Sequence, residues 1–315
     1  QDVRFSEEKL AMSRNFANKV WNASRLILSH LDGYQETALE KLSLTLADKW
    51  ILSRTQKIVA QVSGSLAAYD FGEATRSFYE FFWSDFCDWY LEMAKESLYG
   101  ADLAKKQAVQ NVLVYVLDQS LRLLHPFMPF ISEEIWQRLP LANKPASLMI
   151  ANWPTVKEEL LAETAEADFN LVKQVISALR TMRSELKIAP SLKLKAVVAA
   201  KSKAALDLLK ENVPLINKLA GLSELELGLN LKRPPNSAIT VVKQVDIYLP
   251  LAGLVDIEKE TQRLQKQFQT VEQELKKVEA KLSNAQFLSK APAAVVAKQK
   301  AKADELKTAL AKLKE

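Results

Sequence analysis

A single cysteine, Cys87, stands in a chain of 315 residues. One thiol cannot close an internal disulfide. Only two histidines, His30 and His125, accompany it, too few for a zinc site of the usual composition. A reducing, cytoplasmic setting is expected, with no metal bound. Glycine is scarce, at seven residues, which favours helix over strand-and-turn architecture. No apolar run approaches the ~18 residues of a membrane-spanning helix. There is no phosphate-cradling glycine-rich loop, no nucleophile elbow and no clustered acid–base set. The chain opens on QDVRFSEEKL, without an initiator Met or a signal-peptide pattern. It reads as a piece of something longer, and no catalytic residue is assigned within it.

Acidic residues are scarce in one place. The net charge is +5, and residues 254–315 carry 13 Lys+Arg against 9 Asp+Glu. Within that stretch, residues 276–302 hold seven lysines and one acid, Glu279. The remainder of the chain is nearly neutral. A basic patch so confined marks a nucleic-acid or acidic-partner footprint, or else a solvated lysine-rich surface.

What is present is mostly helical periodicity. Residues 1–153 read as five helices. Ser6 caps the first, which stops at Gly33. TLAD at Thr45–Asp48 resembles a capping box with Asp in place of Glu or Gln, and opens the second. Asp70 and Glu73 open a third that runs to Tyr99. It carries Phe78, Tyr79, Phe81, Phe82, Trp83, Phe86, Trp89 and Tyr90 all round its axis, as a central helix buried on several sides would. A fourth spans about Asp102–Leu124. HPFMPF then breaks the chain at Pro126 and Pro129, and Ser132 caps a short fifth helix that Pro140 ends. In that turn His125 reads as a structural hydrogen-bonder.

A different composition follows NWPTV. Residues 154–253 read as a small α+β module. It has a long helix over about Lys157–Leu186, a strand in LKLKAVVAA and a helix through ALDLLKENVPLINKLAG. Two more strands follow, SELELGL and AITVVKQVDIYLPL. From Leu254 the apolar positions Leu254, Ile257, Thr261, Leu264, Phe268, Val271, Leu275, Val278 and Leu282 alternate by three and four, a coiled-coil seam. Val296, Gln299, Ala303, Leu306, Leu310 and Leu313 resume it after a short turn, with Pro292 in the first turn of the returning helix. The fold class expected is mainly α: a helical bundle, a small α+β module and a C-terminal antiparallel two-helix coiled coil over 254–315. The lysines at the hairpin turn suit phosphate. Phe287 there either stacks on a base or plugs the end of the hairpin.

The first helix has a polar face. Asn15, Lys19, Asn22 and Arg25 recur by four, three and three, with Asn18 beside them, while Phe16, Val20 and Ile27 occupy another face. Amides offer donor and acceptor together, as base edges require, and Arg or Lys can hold phosphate. Equally, asparagines there could tie the helix to its neighbours.

Four stretches carry a resemblance: RNFANKVWNASR (Arg14–Arg25), SDFCDWYLEMAK (Ser84–Lys95), LLHPFMPFISEEIWQ (Leu123–Gln137) and KLSNAQFLSKAPAAVV (Lys281–Val296). All resemble valyl-tRNA synthetases, class I aminoacyl-tRNA synthetases, in the right order and over essentially the whole chain. LLHPFMPFISEEIW is shared with isoleucyl and leucyl enzymes, whereas the turn of the terminal coiled coil is the specific signal. The HIGH-like and KMSKS-like signatures and the editing domain of that family are not in this sequence. The resemblance therefore implies the carboxy-terminal part: an anticodon-binding helical bundle (1–153), a junction module (154–253) and a tRNA-binding arm (254–315).

It implies a tRNA(Val) partner, upstream catalytic and editing domains in the same chain, a monomer, and no cofactor in this part, with ATP and Mg serving the full-length enzyme. The tRNA-binding residues it points to are Arg14, Asn15, Asn18, Lys19, Asn22 and Arg25 on the bundle. On the arm they are Lys276, Lys277, Lys281, Phe287, Lys290, Lys298, Lys300 and Lys302. Two alternatives stay open: the corresponding region of an isoleucyl enzyme, and a non-enzymatic helical scaffold whose coiled-coil arm docks protein.

Overall fold

The computed structural model describes residues 6–142, 144–251, 272–276, 278, 280, 282 and 283. They divide into two compact units, Gln1–Gln174 and Val175–Glu315, with the division inside a helix. The architecture is mainly α, a helical bundle plus a small α+β module. No helix among the described residues is long and apolar enough to cross a membrane.

The first unit holds α1 (Glu7–Leu28), α2 (Leu46–Ala67), α3 (Phe71–Glu80), a π-helical segment (Phe81–Tyr90), α4 (Leu91–Tyr99), α5 (Leu103–Leu124) and α6 (Pro129–Gln137). Local chemistry sets the ends. Thr45 accepts from the Asp48 amide at 3.2 Å while Asp48 Oδ2 accepts from the Thr45 amide at 2.8 Å, so the capping box forms with the shorter acid. Asp70 accepts from Glu73 N at 3.0 Å at the start of α3, and Asp102 caps α5. Gly33, at φ 74°, turns the chain after α1 in a conformation that costs glycine little. Helix α5 is the most buried helix described in this unit; Val112, Leu113, Val116, Leu117, Leu121 and Leu123 have no exposed surface.

The helix expected over 70–99 departs from α geometry in its middle third. Phe78, Phe82, Phe86 and Tyr90 are buried four residues apart. In an α-helix each such step drifts by about 40°, so the row would rotate away from the core. The wider π turn over Phe81–Tyr90 counters that drift. The rings then run as one column, with centroids 5.8, 5.4 and 6.4 Å apart at successive steps.

Ser132 does not cap α6. The helix begins one turn earlier, at Pro129, whose fixed φ and missing N–H suit a first position. Ser132 therefore lies inside it, fully buried, donating to Met128 O at 2.9 Å and sharing a hydrogen bond of 2.8 Å with His125 Nδ1. The structural reading of His125 holds.

Helix α7 (Glu163–Glu185) follows a 3₁₀ turn at Glu158–Leu160, so the long helix starts later than its periodicity indicates. Its first half is anchored in the first unit. Glu166 accepts from Ser53 Oγ at 2.5 Å and pairs with Lys57 at 2.9 Å. Asp85 pairs with both Arg54 (3.0 Å) and Lys173 (2.9 Å).

In the second unit come β1 (Leu194–Ala200), α8 (Lys203–Glu211), α9 (Val213–Ala220), β2 (Leu222–Leu229), β3 (Ser237–Val242) and β4 (Val245–Pro250). The sheet order is β2-β1-β4-β3, with β1 and β2 parallel and the other pairs antiparallel. Two expected elements are each split. The helix through ALDLLKENVPLINKLAG becomes α8 and α9, because Pro214 cannot donate to a preceding carbonyl and starts a new helix instead. The strand AITVVKQVDIYLPL becomes the β3–β4 hairpin, turning at Lys243 with φ 49°. Arg183, nearly buried, donates to the carbonyls of Ala189, Pro190, Leu192, Ala220 and Gly221 at 2.8–3.2 Å. It knits the end of α7 to the loop before β1 and the turn before β2.

Of the expected coiled coil, residues 272–276 are helical, with Val278 buried and Gln273, Glu274 and Lys276 exposed. That exposure pattern follows the seam. The turn and the returning helix lie outside the described residues.

Candidate nucleic-acid interface

Helix α1 is held by an apolar stripe. Val20 and Ile27 have no exposed surface, Phe16, Ala23 and Ser24 are buried, and Phe16 packs its ring on Tyr79 with centroids 5.0 Å apart. At 100° per residue, fixing that stripe turns the opposite ridge to solvent. Arg14, Asn15, Asn18, Asn22 and Arg25 all lie on it and are exposed. None makes a side-chain hydrogen bond or ion pair with another described residue. The asparagines therefore do not tie α1 to its neighbours there, and their donors and acceptors face water.

Lys19 is placed differently. It lies at the edge of α1 facing the π segment. Its ammonium is 2.6 Å from Asp88 Oδ1 and 4.7 Å from the centre of the Trp83 ring. Trp83 in turn stacks on Tyr79 at 5.4 Å with an interplanar angle of 23°. Beneath this edge Cys87 is buried, and desolvation pushes its thiol up to about 12, with Lys19 lowering and Asp88 raising it. That thiol is not a nucleophile near neutral pH.

On the other edge of α1, facing α6, a pocket of about 510 Å³ opens. Trp21, Arg25, Asp32 and Arg138 are among its lining residues, and Arg138 lies 5.7 Å over the Trp21 ring. Trp21, Asp32 and Arg138 were not singled out from the sequence. Arg138 sits more than a hundred positions from Trp21, and no spacing signals that α6 packs beside α1. Asp88 was equally invisible, because a π segment does not follow helical spacing.

On the arm, Lys276 is well exposed and pairs with Glu272 one turn earlier at 3.6 Å. Lys277, Lys281, Phe287, Lys290, Lys298, Lys300 and Lys302 lie outside the described residues.

Arg14, Asn15, Asn18, Asn22 and Arg25 thus form one exposed row of amides and guanidinia along α1. Residues 48–198 match the family model described as the anticodon-binding domain of tRNA ligase. Residues 256–315 match the valyl tRNA synthetase tRNA binding arm. The valine–tRNA ligase of Geobacter sulfurreducens is 43% identical over 308 residues, covering 97% of this chain and 35% of that protein. That of Bacillus cereus is 42% identical over 306 residues, 96% of this chain and 34% of its own length. That of Bacillus subtilis is 40% identical, covering all of this chain and 36% of its own. The chain belongs to the valyl-tRNA synthetase family. It spans about a third of the length of the curated relatives it matches. The match to the anticodon-binding model begins after α1, so the polar ridge lies within the stretch shared with these relatives but ahead of that model.

Proposed function

We propose that the chain is the tRNA-binding part of a valine–tRNA ligase. In this reading the bundle recognises the anticodon of tRNA(Val), and the arm clamps the outer corner of the same tRNA. Both position it for ATP-dependent attachment of valine by the catalytic domain of a longer, monomeric, cytoplasmic protein. ATP and Mg act in that domain.

The observation that carries the reading is the α1 ridge. Arg14, Asn15, Asn18, Asn22 and Arg25 are exposed, with no side-chain partner among the described residues, on a helix whose other face is buried in the core. Unpaired loop bases present the edges that such amides can pair with. Guanidinia beside them can hold the phosphates and set the register. Lys19 flanks the ridge, its charge shared with Asp88 until a phosphate competes for it. On the arm, Lys276, Lys277, Lys281, Lys290, Lys298, Lys300 and Lys302 neutralise phosphate, and Phe287 offers a ring to an exposed base.

Filter binding against purified valine and isoleucine tRNAs tests this. The chain should bind the valine tRNA more tightly, and Arg25→Ala should weaken that binding more than binding to a tRNA with a changed anticodon. The purified chain should show no valine-dependent ATP–pyrophosphate exchange. Equal affinity for both tRNAs would remove the valine assignment, and no affinity for either would favour the protein-docking scaffold.

A further inference from the structure

The two edges of the four-stranded sheet differ. Strand β2, at one edge, carries Glu224 and Glu226 in its middle, and charges on an edge strand discourage further pairing. Strand β3, at the other edge, reads SAITVV, with no charge and no proline. It pairs with β4 through a two-residue turn, Lys243 and Gln244, that sets Val242 against Val245. In such a hairpin alternate residues aim their amides and carbonyls at the facing strand. Those are Val242, Thr240 and Ala238, and the register agrees, because Pro250, which has no N–H, stands opposite Ser237. The amides and carbonyls of Ile239 and Val241 therefore point away from the sheet. Ser237 also points outward, but its carbonyl accepts from the Arg233 guanidinium at 2.6 Å. The side chains of Ile239 and Val241 are 38% and 57% exposed. Ile239 stands opposite Tyr248, and so continues the buried cluster of Tyr248, Val197 and Ala199 towards the edge. Arg233 flanks the edge at its Ser237 end and Lys243 at the turn, and both are exposed. The acid opposite Val241, Asp246, is paired with Lys201 at 3.0 Å.

We propose that β3 takes up, as a fifth strand of the sheet, an extended segment of a partner protein, β-branched at alternate positions and acidic at both ends. Residues 199–255, β3 among them, lie between the two matched family models, and the edge is separate from the ridge and the arm. Main-chain hydrogen bonds to Ile239 and Val241 supply affinity, and alternate side chains on their exposed face supply choice. At about 3.4 Å per residue, Ser237 and Val242 are about 17 Å apart, so a segment of about six residues reaches from one cation to the other. Charge selects the occupant. A second copy pairing β3 on β3 antiparallel would bring Lys243 of each chain towards Arg233 of the other, and like charges facing across strands destabilise. Ile239 and Val241 offer RNA no side-chain donor. A strand with acids at both ends meets both cations.

The test uses the full chain and a synthetic peptide of alternating valine and threonine with two glutamates at each end. Amide hydrogen exchange followed by NMR should slow at Ile239 and Val241 when the peptide is added, but not at Thr240, which already bonds to β4. Ile239→Pro deletes one outward donor and leaves the β4 ladder whole. It should weaken peptide binding about tenfold, the worth of one hydrogen bond, with tRNA affinity unchanged. Lys243→Asp, at a turn position whose left-handed backbone (φ 49°) Asp tolerates, should weaken binding of the acidic peptide and tighten that of a lysine-ended one. This charge swap decides the matter even if Ile239→Pro loosens the hairpin. Unprotected Ile239 and Val241 at millimolar peptide, or lysine-ended and acidic peptides bound equally by the unaltered chain, overturns the inference. So does protection that grows with chain concentration in the absence of peptide, which makes the edge a contact between copies. A loss of tRNA affinity in a folded Ile239→Pro overturns it too, by making the edge part of the RNA surface.

Discussion

Replacing Asp48 by Ala removes two jobs at once. Its Oδ2 accepts from the Thr45 amide at 2.8 Å and the Thr45 hydroxyl at 2.7 Å, closing the capping box of α2. Its Oδ1 accepts from the Tyr90 hydroxyl at 2.5 Å. Both residues are 1% exposed, so water cannot replace the lost acceptor. Losing the reciprocal half of a cap costs about 1 kcal/mol. Stranding a buried hydroxyl costs about 1–3 kcal/mol more. The expected destabilisation of the bundle is about 3 kcal/mol, or a fall in Tm of about 6–12 °C for a unit of this size. Denaturant unfolding followed by near-UV circular dichroism should show a lower midpoint with an unchanged slope.

Tyr90→Phe supplies the internal control. In the parent it deletes one hydrogen bond and leaves the Asp48 carboxylate short of a donor. In the Asp48→Ala background it deletes only an orphaned hydroxyl and should recover about 1–2 kcal/mol. A loss below about 1 kcal/mol for Asp48→Ala, or additive losses in the double variant, would refute the account of a bridging carboxylate.

Asp88→Asn should release the Lys19 ammonium and tighten tRNA binding by up to about fivefold, the worth of an exposed pair; unchanged or weaker binding in filter assays would show that the pair does not compete with RNA. The Cys87 thiol, pushed up to about 12 by burial, should stay unreactive to a thiol reagent at pH 8 until the protein is unfolded. Because that native value exceeds the ordinary thiol value near 9, the unfolded chain loses its proton first. Stability should therefore fall as pH rises from about 9 towards 12, with Tyr90, raised by burial and by Asp48, adding to the loss above pH 10; a flat alkaline profile would contradict both. Changing Lys281, Lys290 and Lys298 together to Gln should reduce the log–log salt slope of tRNA binding by about 2–3, at ~0.7–0.9 per phosphate, while anticodon discrimination persists; an unchanged slope would exclude the arm as a charge clamp.

Local signals read from the chain alone went far. The Thr45–Asp48 and Asp70–Glu73 pairs announced their helices because a cap is written within four residues. The apolar stripe Phe16, Val20, Ile27 set which way α1 turns, and so which residues reach water, because helical periodicity is itself local. The resemblance to valyl-tRNA synthetases was legible for the same reason, in short ordered motifs.

What tertiary structure decided is where partners come from distant positions. The row Phe78, Phe82, Phe86, Tyr90 becomes a π segment because it must stay against the core, a demand no local spacing states. Ser132 looked like a cap, but Pro129 could start the helix a turn earlier and His125 could take the hydroxyl. Lys19 repeats with Asn15 and Asn22, yet Asp88, 69 positions on, draws its charge to the side of the ridge. The pocket walled by Trp21 exists only because α6 lies beside α1. Periodicity fixes a side chain's direction from its helix axis; only packing decides what it meets.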